Sequence, residues 1–223
     1  MNLVQTCGRC QNGFMSQSQK PTTDELRQRT KEEARQLLAE GGPEQVKARV
    51  LAVRLGISVG SIYNLFGQLD ELLFLVNADV YDELLAVIEE AIAKTGDKAE
   101  PIDRVLALCR AYLRFVTANQ GLWSGVLAFN RRNKPSVPKW YREKERSLLG
   151  TAAAVLTDVP GPASPAEKEL AARATWAAIH GIVTISVGPQ GLLATEKDIA
   201  AQIELVARAI VRALESGEPW NKG

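Results

Sequence analysis

The stretch LAVRLGISVGSIYNLF, residues 51–66, decides how this chain is read. Charged residues make up 24% of the sequence, yet none occurs between Arg54 and Asp70. Leu51, Ala52, Leu55, Ile57 and Ile62 are spaced to build the small core of two helices meeting at a turn. Ala52 permits close approach, and Gly56 supplies a turn that a β-branched residue would strain. Ser58 is a natural N-cap for the next helix, Val59 to about Phe66, which Ile62 and Phe66 anchor from behind. Ser58, Val59, Gly60, Ser61, Tyr63 and Asn64 are left pointing outward or towards the helix start. A buried helix would place Leu or Ala there, and a solvated one Lys and Glu.

The pattern predicts a helix-turn-helix whose second helix enters the major groove of double-stranded DNA by its N-terminal end. Gly60 lets backbone approach backbone. Ser and Asn match the donors and acceptors of base edges, and the Tyr63 hydroxyl suits a phosphate. Most protein–DNA hydrogen bonds go to the DNA backbone, and Lys47 and Arg49 supply the charge for it. Arg54, and Arg27, Arg29 and Lys31 on the preceding helix, are further candidate cations.

Outward from this unit the chain reads as helix after helix. Thr22 to Glu25 fits a capping box, followed by a stripe of Leu26, Thr30, Ala34, Leu37 and Leu38 that ends at Gly41-Gly42-Pro43. Asp70 and Glu71 open a long helix with the stripe Leu72, Leu73, Val76, Val80, Leu84, Val87 and Ile88. Further helices are predicted from Pro101 to about Ala118, Gly121 to Arg132, Pro138 to Leu156, Ala166 to Val187 and Thr195 to Ser216. No strand-like alternation is seen, so the fold class is all-α: a three-helix DNA-binding domain at 22–69 and a helical ligand-binding and dimerisation bundle at 70–216. Residues 1–21 and 217–223 read as tails, the first of them disordered.

Composition narrows the function. With 46% hydrophobic residues the chain buries a sizeable core, and a net charge of +1 means that nucleic-acid contact depends on a local patch. Three cysteines do not make a disulfide framework, which points to a reducing, cytoplasmic setting. No apolar run spans a bilayer, so no membrane is expected as a partner. Cys7-x-x-Cys10 is half a zinc site, but only Cys109 and His180 remain to complete it, and a plain thiol pair is the better reading. His180 is the single histidine. It has no second histidine for a relay and no metal-ligand cluster around it, so neither an enzyme nor a cofactor is expected.

Leu51-Ala52-x-x-Leu55-Gly56-Ile57-Ser58-x-Gly60-x-Ile62-Tyr63-x-x-Phe66, followed by Asp70-Glu71-Leu72-Leu73, resembles the DNA-binding domain of the TetR family of bacterial transcriptional repressors. Trp176-Ala-Ala-Ile-His180-Gly181 is similar to the Trp…His-Gly signature of one C-terminal subtype. The resemblance implies a homodimer, a palindromic operator, a ligand pocket in the C-terminal domain and release when an effector binds. Two phosphate contacts usual in the family are replaced, by Leu65 and Leu69, and Lys47 stands where a small hydroxyl residue is common. These departures leave a second reading, an all-helical protein-interaction adaptor that has lost DNA binding.

For the effector, Cys109, Tyr112, Phe115, Trp123, Phe129, Tyr141, Trp176 and His180 are the candidate contacts, with Trp140 and Asn119 beside them. A small, apolar or aromatic molecule is expected. The apolar faces of the last two helices (Leu170, Ala171, Ala174, Ala177, Ala178, Ile182 and Ile185, then Ile199, Ile203, Val206, Ala207, Ile210, Val211 and Leu214) suit either a four-helix dimer interface or internal packing. The basic run Arg131, Arg132, Lys134, Lys139, Arg142, Lys144, Arg146 reads as a solvated face, with a second DNA contact or an anionic effector as the alternatives.

Overall fold

The computed structural model describes residues 21–133, 137–187 and 195–217. The Cys7/Cys10 pair and nearly all of both expected tails lie outside them. Nine α-helices follow one another, and no strand occurs among the described residues, so the all-α expectation holds. They are α1 Thr23–Gly41, α2 Ala48–Leu55, α3 Val59–Phe66, α4 Leu69–Ala93, α5 Pro101–Ala118, α6 Gln120–Asn133, α7 Lys139–Thr157, α8 Pro165–Val187 and α9 Glu196–Ser216. A short 3-10 turn, Pro43–Gln45, precedes α2.

Local chemistry accounts for most of the helix ends. The Thr22 hydroxyl accepts from Glu25 N while the Glu25 carboxylate accepts from Thr22 N, closing the capping box on α1. Thr195 and Asp198 repeat the device on α9, and Ser164 with Glu167 does so on α8. Pro138 is the N-cap of α7 rather than its first helical residue.

The first three helices and the start of α4 form a small head around Leu38, Leu51 and Ile62, all fully buried. The 25-residue α4 carries the chain from this head into a larger bundle. There it packs on α5 and α7, while α8 lies on α7 and α9, and α5 on α9. Two ion pairs tie α1 to α4, Lys31 with Asp79 at 2.5 Å and Arg35 with Glu83 through both guanidinium nitrogens.

A second seam joins head and bundle, where α6 lies along α1. Gly121 and Gly125 sit one turn apart on the face towards it. A Cβ on Gly121 would stand 2.3 Å from the Ala39 carbonyl oxygen, and one on Gly125 2.7 Å from that of Leu38. Only hydrogen fits between the two helices at these points.

The last two helices resolve the two readings of their apolar faces. In α9, Ile199, Ile203, Ala207, Val211 and Leu214 are buried against the rest of the chain. Internal packing accounts for that stripe. What α9 turns outward is Ala201, Leu205 and Ala209, with Leu205 70% exposed. In α8, Ala171 and Ile179 point inward while Leu170, Ala174 and Ala177 are exposed.

Gly125→Ala should lower stability by about 1–3 kcal/mol, because the added methyl meets backbone that cannot yield. Gly150→Ala, at an open position on α7 with nothing within 4 Å, should raise it by about 1 kcal/mol. Thermal unfolding followed by circular dichroism distinguishes the two.

Candidate nucleic-acid interface and ligand cleft

The turn between α2 and α3 is built by Gly56, whose φ of 67° and ψ of 33° lie in the left-handed region. Its N–H donates to the Val53 carbonyl at 3.3 Å and the Ile57 N–H to that of Ala52 at 3.0 Å, the paired bonds of a Schellman ending. Ser58 then caps α3, its hydroxyl accepting from Ser61 N at 3.1 Å and lying 2.9 Å from the Ser61 hydroxyl. The two serines therefore satisfy each other first, and their spare hydrogen-bonding capacity faces out.

Behind α3, Ile62 and Phe66 are buried. In front, Val59, Gly60, Tyr63 and Asn64 are exposed, Tyr63 by 49%. A Cβ on Gly60 would touch only the Ser58 hydroxyl, at 3.6 Å. Nothing inside the chain therefore requires a glycine at this position.

Structure sorts the six candidate cations. Arg54 is paired with Glu40 at 2.9 Å and Glu33 at 3.4 Å, and Lys31 is held by Asp79. Arg27 donates to the Leu65 carbonyl and lies 4.6 Å from the centre of the Phe66 ring, closing the end of α3. These three serve the head itself. Lys47, Arg49 and Arg29 are exposed and carry no ion pair among the described residues. Lys47 is the N-cap of α2, where its side chain accepts nothing from the helix. Leu65 and Leu69 are half-buried and pack on the core, so they do not form the exposed apolar patch that an adaptor would use.

In the bundle, the six aromatic candidate ligand contacts pack on other rings, and Cys109 lies in the buried core. Tyr112 meets Trp123 edge-on at 5.8 Å and Trp176 at 5.2 Å, and Phe115 meets Trp123 at 6.2 Å. Trp176 stacks on the His180 ring at 5.9 Å. Phe129 and Tyr141 belong to a second cluster around Phe74. Cys109 is fully buried, and burial pushes its thiol up to about 12, which makes it inert. Asn119 caps α5 by donating to the Phe115 carbonyl at 2.9 Å.

His180 alone of the eight opens onto a cleft of about 690 Å³ between α6, α7 and α8. Burial, and then the nearby Arg131, hold its imidazole below the usual range. The Tyr112 hydroxyl lies 2.7 Å from His180 Nδ1. Burial raises the phenol and keeps it protonated, so the bond joins a neutral phenol to a neutral ring. Trp123 Nε1 and Thr184 Oγ1 are buried in the same cluster beside the Tyr112 hydroxyl.

The remaining polar walls of this cleft are Arg131 and Arg142, which the sequence placed in its basic run, and Asn130, Glu145 and Thr184, which sequence reasoning missed. Asn130 donates to the Tyr81 hydroxyl at 2.7 Å and accepts from that of Tyr141 at 2.9 Å, and the Tyr81 hydroxyl reaches Glu145 at 3.4 Å. A usable signal was present in α7: Glu145 follows Tyr141 by one turn and so shares its inward face.

The charge arrangement around His180 fixes a sign. A base whose folded pKa is depressed leaves the unfolded chain with more bound protons just below its ordinary value of 6.5, so its contribution to stability falls as the pH drops through that value. In proton NMR the single imidazole should titrate below 6.5, and Arg131→Ala should move the midpoint upward.

Residues 32–76 match the family of bacterial regulatory proteins named tetR. Residues 105–210 match the tetracyclin repressor-like C-terminal domain. Among solved structures the chain is similar to a protein of unknown function from Rhodococcus sp. RHA1, with a TM-score of 0.72 and 20% identity over 89% of this chain and 98% of that one. A transcriptional regulator from the same source gives 0.66 at 21% identity, covering 84% and 96%. The TetR family transcriptional regulator PfmR from Thermus thermophilus gives 0.58 at 23% identity, covering 84% and 99%. At such identities the likeness is one of fold. No protein of curated function matches the chain.

Proposed function

The chain belongs to the tetR family of bacterial regulatory proteins, and from that premise we infer that it is a cytoplasmic, ligand-responsive repressor. In this reading it is a non-enzymatic homodimer on a palindromic operator, released when a small apolar or aromatic effector enters the bundle. Residues 22–69 make the DNA-binding domain, and 70–216 bind the effector and the second copy.

The observation that carries the reading is the outer face of α3. Gly60, Tyr63 and Asn64 lie exposed there without a negative charge among them, and Lys47 and Arg49, on the neighbouring α2 and its cap, make no ion pair among the described residues. Gly60 is left without an internal reason, and a duplex lying against α3 supplies one. Phosphates suit Lys47 and Arg49, and base edges suit Ser61 and Asn64. Arg54, paired within the head, is left out of the proposed contact set.

Gly60→Leu and Tyr63→Ala should keep the helical circular dichroism spectrum and lose operator binding by at least about tenfold, read by gel shift on duplexes selected from a random pool. Lys47→Thr should add a missing helix cap worth about 1 kcal/mol and yet weaken binding and flatten its salt dependence. Wild-type affinity in all three variants would refute the roles given to these residues.

For the dimer, exposed Leu170, Ala174 and Ala177 of α8 and Ala201, Leu205 and Ala209 of α9 supply a surface of small and apolar side chains. Meeting its own copy across a two-fold axis would bury that surface and set two reading heads on one palindrome. Ala177→Glu together with Leu205→Glu should convert the dimer to a folded monomer in sedimentation velocity.

A further inference from the structure

The cleft beside His180 has a chemistry of its own. Its volume, about 690 Å³, falls within the roughly 300–1,000 Å³ of small-molecule sites. Leu127, Val137 and Ile185 give it an apolar surface. Its polar groups are unequal in sign. Arg131, in the last turn of α6, and Arg142, near the start of α7, both line it and make no ion pair among the described residues.

Their neighbours behave differently. Arg132 pairs with Glu44 at 2.7 Å and Asp70 at 3.4 Å, and Lys144 with Asp82 at 2.5 Å. Arg146, one turn beyond Arg142, also makes no ion pair among the described residues but does not line the cleft. Glu145 is the single carboxylate on its wall. It is half-buried and bound to the Tyr81 hydroxyl; burial raises it above the ordinary carboxylate range, against the opposing pull of that bond and of the nearby Arg142 charge. Burial keeps His180 neutral near neutral pH, and Thr184, which also lines the cleft, has its hydroxyl buried beside Tyr112.

We propose that this cleft binds a small amphipathic carboxylate, its anionic end gripped by Arg131 and Arg142 and its apolar or aromatic body laid on Leu127, Val137 and Ile185. The planar guanidinium fork matches a carboxylate with two parallel hydrogen bonds. A neutral ligand of the same shape leaves that match unused. An ammonium ligand meets two cations and one weakened carboxylate. As a statement about the effector the inference rests on the ligand-responsive reading above; as a statement about binding it stands without it.

The test uses the full chain without DNA. Phenylacetate, 3-phenylpropionate and octanoate are titrated near neutral pH, followed by tryptophan fluorescence, to which Trp176 stacked on His180 contributes, and by calorimetry. At least one carboxylate should saturate, and its primary amide should bind at least about tenfold more weakly. Arg131→Ala and Arg142→Ala should each lose at least about tenfold with an unchanged circular dichroism spectrum, and phenethylamine should not bind. The proposal is overturned if none of the three acids binds, if the amide binds as well as its acid, if the amine is preferred, or if either variant keeps wild-type affinity. Because no duplex is present, a carboxylate that binds as described but fails to release operator DNA would sink the effector reading and leave the binding site standing.

Discussion

The contact on which the rest of the molecule depends is the close approach of α6 to α1. Two glycines one turn apart bring α6 onto the backbone of α1 with no side chain between them. The opposite face of the same helix carries Trp123 and Asn130 into the bundle, and its last turn carries Arg131 and Arg132. A helix so placed cannot shift on one side without moving the other, since packed surfaces change between discrete arrangements rather than deforming smoothly. Arg132 strengthens the link, reaching Glu44 ahead of α2 and Asp70 at the start of α4.

A second route between cleft and head runs through hydrogen bonds. Asn130 and Glu145 line the cleft, and both bond to Tyr81, which lies on α4, the helix that begins in the head. Asn77, also on α4 and fully buried, sets its amide beside the Tyr141 hydroxyl and extends the same polar cluster along the helix shared by the two ends of the molecule. A ligand that draws Asn130 or Glu145 away from Tyr81 acts on that helix directly, so the cleft and the reading head are joined by bonds and not only by packing.

How legible the chain was depends on which interactions each feature uses. The caps at Thr22, Ser58 and Thr195, the Gly56 turn and the stripes of α1 and α4 are set by neighbours three or four residues away, and periodicity carries that information. The two faces of α3 were readable for the same reason: Ile62 and Phe66 repeat at helical spacing, and the residues between them do not. The cleft was not readable. An aromatic residue at helical spacing looks the same whether it packs against another ring or lines a cavity, and Tyr112, Trp123 and Phe129 turned out to pack. Arg131 and Arg142 looked like members of a solvated basic run, because nothing local shows that Arg132 and Lys144 find carboxylates on other helices while these two do not.

What the sequence by itself determined is therefore the helical succession, the helix-turn-helix and the neutral outer face of its second helix. Only the tertiary structure decided which cations remain free, which stripe of α8 and α9 faces outward and where an opening lies beside His180. The physical reason is range. Helix formation and capping are local, whereas ion pairing, burial and cavity shape depend on residues such as Arg132 and Glu44 that lie far apart in the chain and meet only once the helices have packed.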